Sequence, residues 1–294
     1  MIDENFIKFG SDVNKVLIID FSNFAYRNAF ITIKKYPMDN GVWKQWKKKC
    51  LGDIINYVGK FSTDRLILAT DSFTGKYWRH EIYALYKQNR LAFHGDKVID
   101  VDSFKIASHN FINEFKNIFT NTYIINVENC ESDDIIAVLC KELSDCEKII
   151  ISNDGDFNQL LKLYGVKKFD PLQNRFINII NPKHELEIKV IIGDKNDGIP
   201  SIKSGIGEKT AEKIVLGGMN IMESSDISLR ENYKRNKILI DFDFIPERIS
   251  KMILNEYNNY KITPISNKLI YEYMLKHECQ DKWQINGQKI VGLK

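Results

Sequence analysis

Four short runs of apolar, mostly β-branched residues occur in the first part of the chain, and each is bounded by polar residues. They occupy residues 15–20, 65–71, 122–127 and 148–152. An apolar run without alternation is typical of a strand that is covered on both faces of a parallel sheet. Segments 103–119 and 131–143, which lie between these runs, have the apolar period of helices. Strand–helix alternation of this kind predicts an α/β fold with right-handed crossovers.

The pattern changes after about Pro182, where no convincing series of strands follows. Helical periodicity instead predicts helices at residues 182–192, 206–216, 229–240, 246–257 and 267–276. The predicted fold is therefore a mostly parallel central sheet flanked by helices over residues 1–181, followed by a helical region over residues 182–294.

The composition is that of an ordinary globular protein, since 44% of the 294 residues are hydrophobic and 28% are charged. No apolar stretch approaches the roughly 20 residues that a membrane helix requires. The five cysteines are scattered without close pairs, so neither a disulfide framework nor a thiolate zinc site is indicated. The protein is therefore expected in the cytoplasm, without a membrane partner.

Positive charge is concentrated in two segments, although the net charge is only +3. Residues 34–49 contain six lysines and one acid, and residues 76–97 interleave five basic residues with aromatic ones. Basic patches around acidic motifs are typical of proteins that hold phosphates near a metal ion. Solvated helix faces explain such lysine runs equally well. For residues 34–50, an ordered helix and a mobile basic segment both stay open.

Carboxylates follow the predicted strands at the points where the strands end. Asp20 closes the first strand and Asp71 the second. The others follow the third strand, the fourth strand and a later loop: Glu131, Asp133, Asp134, Asp154, Asp156, Asp194 and Asp197. Because the carboxyl ends of parallel strands meet at one edge of a sheet, we expect these side chains to share a crevice. Taken singly, each has another explanation as a helix cap, a complement to a helix dipole or a turn residue.

Carboxylates that converge in this way repel one another, and their pKa values rise unless cations neutralise them. Oxygen ligands select hard ions, so Mg²⁺ or Mn²⁺ is predicted rather than zinc. Two such ions held about 3.5–4 Å apart are a standard device for hydrolysing phosphodiester bonds. The five histidines show no metal-ligand spacing and are interpreted as structural or surface residues.

Several motifs along the chain resemble those of one known family. They are Glu131-Ser-Asp-Asp134, Ser152-Asn-Asp-Gly-Asp-Phe157, Gly193-Asp-Lys-Asn-Asp-Gly-Ile-Pro200 and Gly205-Ile-Gly-Glu-Lys-Thr-Ala211, with Tyr77-Trp-Arg79 and Tyr86-Lys-Gln-Asn-Arg90 upstream. In this order they are similar to the 5′-nuclease family of flap endonucleases and 5′→3′ exonucleases, and most similar to its phage ribonuclease H type. Ser132 and Gly198 depart from that pattern, where Ala and Asn are usual.

The resemblance implies a role for each carboxylate. A first Mg²⁺ ion and its waters would be held by Asp20, Asp71, Glu131, Asp133 and Asp134. A second would be held, partly through water, by Asp154, Asp156, Asp194 and Asp197. Mn²⁺ is the expected substitute for Mg²⁺ at both positions.

The resemblance also implies two elements that contact nucleic acid. The first is a helical arch near residues 76–97, from which Arg79 and Lys87 approach the scissile phosphate, Tyr86 stacks on a displaced base and Arg90 contacts the strand. The second is a helix–loop–helix element near residues 193–217. Its expected duplex contacts are Gly205, Gly207, Lys209 and Thr210. A K⁺ ion would be sought there at the carbonyls of Ser201, Ile202 and Ile206.

The implied function is a structure-specific 5′-nuclease that removes RNA primers and adjoining DNA or flaps during replication and repair. Its expected partners are DNA and RNA–DNA hybrid duplexes with 5′ ends, together with a sliding clamp or a single-strand-binding protein, and the chain itself is expected to be a monomer. Two alternatives stay open. An RNA-cleaving nuclease of the PIN type shares the acidic crevice but usually lacks the arch and the helix–loop–helix element. A non-catalytic, structure-specific DNA-binding protein requires the loss of metal-holding acids.

Overall fold

The structure is a computed structural model, and it describes residues 14–37, 41–88 and 99–292. Its strands are β1 Lys15–Asp20, β2 Arg65–Thr70, β3 Tyr123–Asn126, β4 Glu147–Ile151, β5 Val166–Asp170 and β6 Arg175–Ile177. They form one sheet in the order β3-β2-β1-β4-β5-β6. All neighbours pair in parallel except β5 and β6, which are antiparallel. The predicted mostly parallel sheet is confirmed, and the four predicted strands agree with β1 to β4 to within one residue at each end.

The apolar pattern does not predict β5 or β6, because β5 carries a lysine on an inward position. Lys168 is only 2% exposed. Its ammonium donates to the side-chain oxygen of Asn158 (2.9 Å) and to the backbone carbonyl of Asp154. Hydrogen bonds of this kind allow a charged head group to be buried beside its aliphatic stem. A buried strand of this composition leaves no apolar run to detect.

Helices occupy both faces of the sheet and most of the chain after β6. The first five are α1 Phe21–Lys35, α2 Val42–Phe61, α3 Arg79–Ile82, α4 Val101–Ile118 and α5 Ser132–Glu142. The next six are α6 Pro182–Ile192, α7 Glu208–Leu216, α8 Ile227–Ile240, α9 Glu247–Asn258, α10 Asn267–Lys276 and α11 Gln280–Val291. The seven predicted helices are confirmed as α4 to α10. The basic segment 34–50 is divided between the end of α1 and the start of α2, with residues 38–40 outside the described residues.

The two faces of the sheet are covered by different helices. Successive residues of β1 point to opposite faces, and Leu17 belongs to a core with α1, α2, α4, α10 and α11. Ile18 belongs to a second core with α5 and α9. Both faces are therefore buried, which explains why the central strands are continuously apolar.

A third apolar cluster joins α6, α7 and α8 at the carboxyl edge of the sheet. It contains Val190, Ile202, Ala211 and Ile240, and Tyr86 from the segment after α3 packs into it. The cluster fixes the loop between α6 and α7 beside the ends of β1 and β4. None of the helices in the described ranges is both long and apolar enough to cross a membrane.

Candidate metal centre

Asp20 and Asp71 are linked by a single serine at the start of α5. Asp20 ends β1 and caps α1, where it accepts a hydrogen bond from the Asn23 backbone N–H (3.3 Å). Its two carboxylate oxygens also accept hydrogen bonds from the hydroxyls of Ser132 (2.9 Å) and Ser152 (3.0 Å). The backbone N–H of Ser132 donates to Asp71 (2.8 Å). The ends of β1, β2 and β4 thus meet at the first turn of α5.

Four carboxylates at this point form no salt bridge with any residue that the structure describes. We call them the uncompensated group: Asp20, Asp71, Asp133 and Asp154. Among the described residues, no lysine or arginine forms a salt bridge with any of their side chains. Hydroxyl and backbone N–H donors contact Asp20, Asp71 and Asp154, but these donors carry no full charge.

Burial and mutual repulsion perturb this group. Burial and the charge of Asp71 raise the pKa of the Asp20 carboxyl to about 7. Burial and Glu131 raise the pKa of Asp133 well above its usual range, and burial and Asp156 raise that of Asp154. At these three carboxyls, burial and mutual repulsion outweigh the hydrogen-bond donors and more distant cations that favour the charged form.

Four further carboxylates beside this group are paired with lysines. We call them the compensated group: Glu131, Asp156, Asp194 and Asp197. The Lys87 ammonium contacts Glu131 and lies 3.7 Å from Asp197. The Lys189 ammonium contacts Asp156 and lies 2.8 Å from Asp194.

The lysines have the electrostatic effect expected of close cations. Burial alone would raise the pKa of Glu131, but Lys87 and Arg79 lower it to about 2. Burial likewise opposes the effect of Lys189 on Asp194, whose pKa is lowered. Glu131 and Asp194 are therefore held in the charged form by lysines of the same chain.

Three members of the compensated group could hold one hard cation. One carboxylate oxygen from each of Asp156, Asp194 and Asp197 lies within 4.8 Å of the other two. An oxygen-only donor set of this size fits Mg²⁺ or Mn²⁺ and does not fit a soft metal. Gly193 holds the loop in place with a φ of +74°, and an added Cβ would lie 2.3 Å from the Ile199 carbonyl oxygen.

Asp134 and Arg79 are both buried and contact protein groups, whereas the resemblance implies that Asp134 holds a metal ion and that Arg79 approaches a phosphate. Asp134 accepts hydrogen bonds from the indole of Trp78 (3.0 Å) and the backbone N–H of Glu131 (3.0 Å). The Arg79 guanidinium lies 2.9 Å from both Glu131 and Asp134, and its Nε donates to the Leu239 carbonyl (2.9 Å).

Arg79 is 3% exposed, so its expected position on an open arch is corrected. With two carboxylates and a carbonyl around it, the guanidinium has no donor directed at solvent that a phosphate could reach without breaking these contacts. Sequence alone could not indicate this, because the carbonyl comes from α8, far along the chain.

Tyr86 and Lys87 also face the carboxylates. The Tyr86 hydroxyl oxygen lies 2.9 Å from a carboxylate oxygen of Glu131 and 3.1 Å from one of Asp197, either of which can accept its single hydrogen, and the residue is 3% exposed. Its ring is therefore covered in this structure, whereas stacking on a displaced base, as the resemblance implies, requires an exposed ring. The Lys87 backbone N–H donates to the Asp197 carbonyl (2.8 Å), which attaches this segment to the loop after α6. Arg90 and the rest of residues 89–98 lie outside the described residues.

The predicted helix–loop–helix element comprises α6, the loop 193–207 and α7. Gly205, with a φ of +84°, and Gly207, Lys209 and Thr210 are all exposed at the start of α7. The N-terminus of a helix presents backbone N–H groups that favour anions. The Ile202 carbonyl accepts a hydrogen bond from Asn232 (2.9 Å).

Three residues of the site were not predicted from the sequence. They are Lys189, which pairs with Asp156, and Ser132 and Ser152, whose hydroxyls donate to Asp20. A lysine in the last turn of a helix usually complements the helix dipole, so Lys189 gave no separate signal. Ser132 stands where the family usually has Ala, and that departure was the available sign of a special contact. Ser152 belongs to a matched motif, but its hydroxyl had no assigned role.

Comparisons with known proteins agree with this geometry. The family model for the N-terminal, resolvase-like domain of 5′-3′ exonucleases matches residues 15–188, and the model for the C-terminal part of T4 RNase H matches residues 223–284. A ribonuclease H of Enterobacteria phage T4 is 32% identical over 298 residues, which span 94% of this chain and 94% of the relative.

Two solved structures have the same fold. A T5 5′-exonuclease with bound zinc ions gives a TM-score of 0.65 at 19% identity, covering 84% of this chain and 100% of that chain. A bacteriophage T5 flap endonuclease in complex with DNA and metal ions gives a TM-score of 0.61 at 18% identity, covering 93% of this chain and 100% of that chain. At these identities the likeness establishes the fold alone.

Proposed function

The chain belongs to the 5′-3′ exonuclease family, and we propose that it is a structure-specific, Mg²⁺-dependent 5′-nuclease. It hydrolyses phosphodiester bonds to remove RNA primers and adjoining DNA or flaps from 5′ ends in replication and repair. The observation that carries this proposal is the uncompensated group, a buried to half-buried set of carboxylates at the carboxyl edge of the sheet that forms no salt bridge within the described residues.

The carboxylates provide two positions for divalent ions, one mainly in the uncompensated group and one mainly in the compensated group, with Glu131 and Asp154 as the exceptions. The proposed residues for the first ion are Asp20, Asp71, Asp133 and the adjacent Glu131. Asp134 supports them from the buried side of the site. Asp154, Asp156, Asp194 and Asp197 are the proposed residues for the second. When bound, two such ions activate a water molecule and stabilise the leaving oxygen.

The chain's own cations act on the substrate and on the carboxylates. Lys87 is the cation proposed to contact the scissile phosphate, where it offsets the charge that develops in the transition state. Its side chain is 12% exposed, so it reaches a phosphate by leaving Glu131. We assign Arg79 a positioning role, because its guanidinium holds Glu131 and Asp134 from the buried side.

Nucleic acid is bound through phosphates on two surfaces. The exposed start of α7, with Gly205, Gly207, Lys209 and Thr210, is the proposed duplex contact, with K⁺ bound near the Ser201 carbonyl. Tyr86 and Arg90 contact the 5′ strand as the arch segment near residues 76–97 opens. Contacts of this kind position the substrate without reading its sequence. The substrates are DNA and RNA–DNA hybrid duplexes with 5′ ends or flaps.

The remaining expectations about organisation form part of the same proposal. The catalytic region is residues 1–181 and the helical region residues 182–294. The protein acts as a monomer in the cytoplasm, which is the host cytoplasm if a phage encodes it. A sliding clamp or a single-strand-binding protein is the proposed replication partner.

The test uses a 5′-labelled flap and a nicked RNA–DNA hybrid, each incubated with the protein in Mg²⁺ or in EDTA. Short 5′ products that appear only with the metal establish the reaction, and their lengths separate flap cutting from stepwise trimming. Tight binding without cleavage in Mg²⁺ or Mn²⁺ would overturn the proposal in favour of a structure-specific binding protein. Cleavage of internal single-stranded RNA without a requirement for a 5′ end would favour a nuclease of the PIN type.

A further inference from the structure

Lys189 occupies the centre of the compensated group although no matched motif includes it. It lies in the last turn of α6, and its ammonium contacts Asp156 and lies 2.8 Å from Asp194. These are two of the three residues whose carboxylate oxygens approach within 4.8 Å of one another. The third, Asp197, is paired with Lys87 at 3.7 Å.

We propose that the Lys189 ammonium is an internal counter-ion that holds the place of the second metal ion, so that the ion enters only as the ammonium withdraws. This inference rests on the proposed function and adds to it an order of binding. The first ion binds to the uncompensated group, and the second binds more weakly because it must displace a cation.

Geometry makes the two cations mutually exclusive. Mg²⁺ requires its oxygen ligands at about 2.0–2.1 Å in a near-octahedral arrangement. An ammonium already within hydrogen-bonding distance of Asp156 and Asp194 lies where an ion held by both carboxylates would have to lie. Two cations held by one carboxylate oxygen would also repel each other strongly in a half-buried site.

Lys189 has a route out of the site. Its side chain is 27% exposed, and a lysine stem has several rotatable bonds that can carry the head group into solvent. When Lys189 withdraws, its ion pairs with Asp156 and Asp194 are lost. The free energy of losing them makes binding of the entering ion weaker. The uncompensated group imposes no such cost, because no salt bridge to its side chains has to break.

The Lys189 ammonium also stabilises the site before the second ion binds. Asp156, Asp194 and Asp197 would otherwise face one another as uncompensated charges, which is unfavourable at this separation. Lys189 and Lys87 neutralise most of that charge from within the chain. The loop after α6 is therefore expected to keep its conformation in the absence of metal.

The experiment is a calorimetric titration of Mn²⁺ into the full chain and into Lys189→Met, Lys189→Arg and Lys183→Met. Lys183 is an exposed lysine on the same helix and serves as the matched control. We expect one tight and one weak site in the unsubstituted protein and in the Lys183→Met variant. In Lys189→Met the weak site should tighten by about tenfold or more, while the tight site keeps its affinity. Lys189→Arg should retain the weak site.

A second measurement, the melting temperature without metal, shows whether each variant is still folded. It should fall in Lys189→Met and recover with Mn²⁺. A weak site whose affinity is unchanged or reduced in Lys189→Met, in protein that melts cooperatively, would overturn the inference and leave the proposed function intact. If the unsubstituted protein binds no Mn²⁺ at all, the proposed function fails first.

Discussion

The uncompensated and compensated carboxylate groups differ in how the chain handles their charge. Asp20 and Asp71 are contacted by hydroxyl and backbone N–H groups, whereas Glu131 and Asp194 are contacted by lysine ammonium groups. In the first arrangement no salt bridge within the described residues offsets the negative charge, so a bound proton or an external cation has to do so. In the second, two lysines offset part of the charge of four carboxylates in the absence of metal.

The difference follows from which elements supply each group. The uncompensated group comes from strand ends and the first turn of α5, where the sheet itself provides only dipoles. The lysines of the compensated group come from the segment after α3 and from α6, which approach the sheet from outside. In the proposed function, the strand ends would create the need for a metal ion, and the lysines from the surrounding elements would modulate its binding.

The largest expected effect comes from removing a member of the uncompensated group. Asp71→Asn should reduce cleavage of a labelled flap in Mg²⁺ by about a thousandfold or more, the upper scale for losing one electrostatic contributor to a transition state. Duplex binding without Mg²⁺, measured by fluorescence anisotropy, should remain. Asp145→Asn, an exposed carboxylate away from both groups, is the control. Equal loss of folding and binding in Asp71→Asn would show that the residue is structural.

Arg79 holds Glu131 and Asp134 together from the buried side, so its loss should be costly to stability. Arg79→Ala should reduce the free energy of unfolding by about 3–5 kcal/mol, because Glu131 and Asp134 lose a buried partner. Urea denaturation followed by circular dichroism measures this effect. Arg79→Lys should lose less, since it keeps the charge but not the forked geometry. A change below 1 kcal/mol, on the order of a surface ion pair, would contradict the buried role.

Lys87 is expected to affect catalysis more than metal binding. Lys87→Ala should lower kcat by about a hundredfold, while the affinity for the first metal ion stays constant or increases. Single-turnover cleavage and Mn²⁺ titration measure the two quantities separately. Loss of metal affinity in parallel with kcat would place Lys87 among the residues that organise the site instead of those that contact the phosphate.

The smallest expected effect is a pH dependence of stability in the absence of metal. Since the folded-state pKa of Asp20 is about 7, the folded protein holds a proton that the unfolded chain releases near pH 4. Stability from this group is therefore present at low pH and declines as pH rises towards 7, by at most about 1.4 kcal/mol for each pH unit. Urea denaturation in EDTA at pH 5 and pH 8 should show the decline, and Asp20→Asn should make it smaller, leaving the contribution of Asp133 and Asp154. The same dependence in Asp20→Asn would assign it to another group.

The sequence predicts that the acids after the apolar runs converge, because each run ends at or beside an acid and parallel strands bring those ends together. Asp20 and Asp71 are visible in this way. The surroundings of a side chain cannot be predicted from the local sequence where distant segments of the chain supply them. Arg79 is enclosed by a carbonyl from α8, and Tyr86 is covered by the cluster of α6 to α8. Lys189 looks like an ordinary helix-ending lysine until α6 is placed against the sheet.

The most direct test of the two-group account is a crystal structure of the protein soaked in Mn²⁺, with the ions located by anomalous scattering. The account predicts one ion among Asp20, Asp71 and Asp133, and a second among Asp156, Asp194 and Asp197 at higher Mn²⁺. The Lys189 ammonium should have left Asp156 when the second ion is present. Ions found away from both groups, or bound to neither at any concentration, would contradict the account.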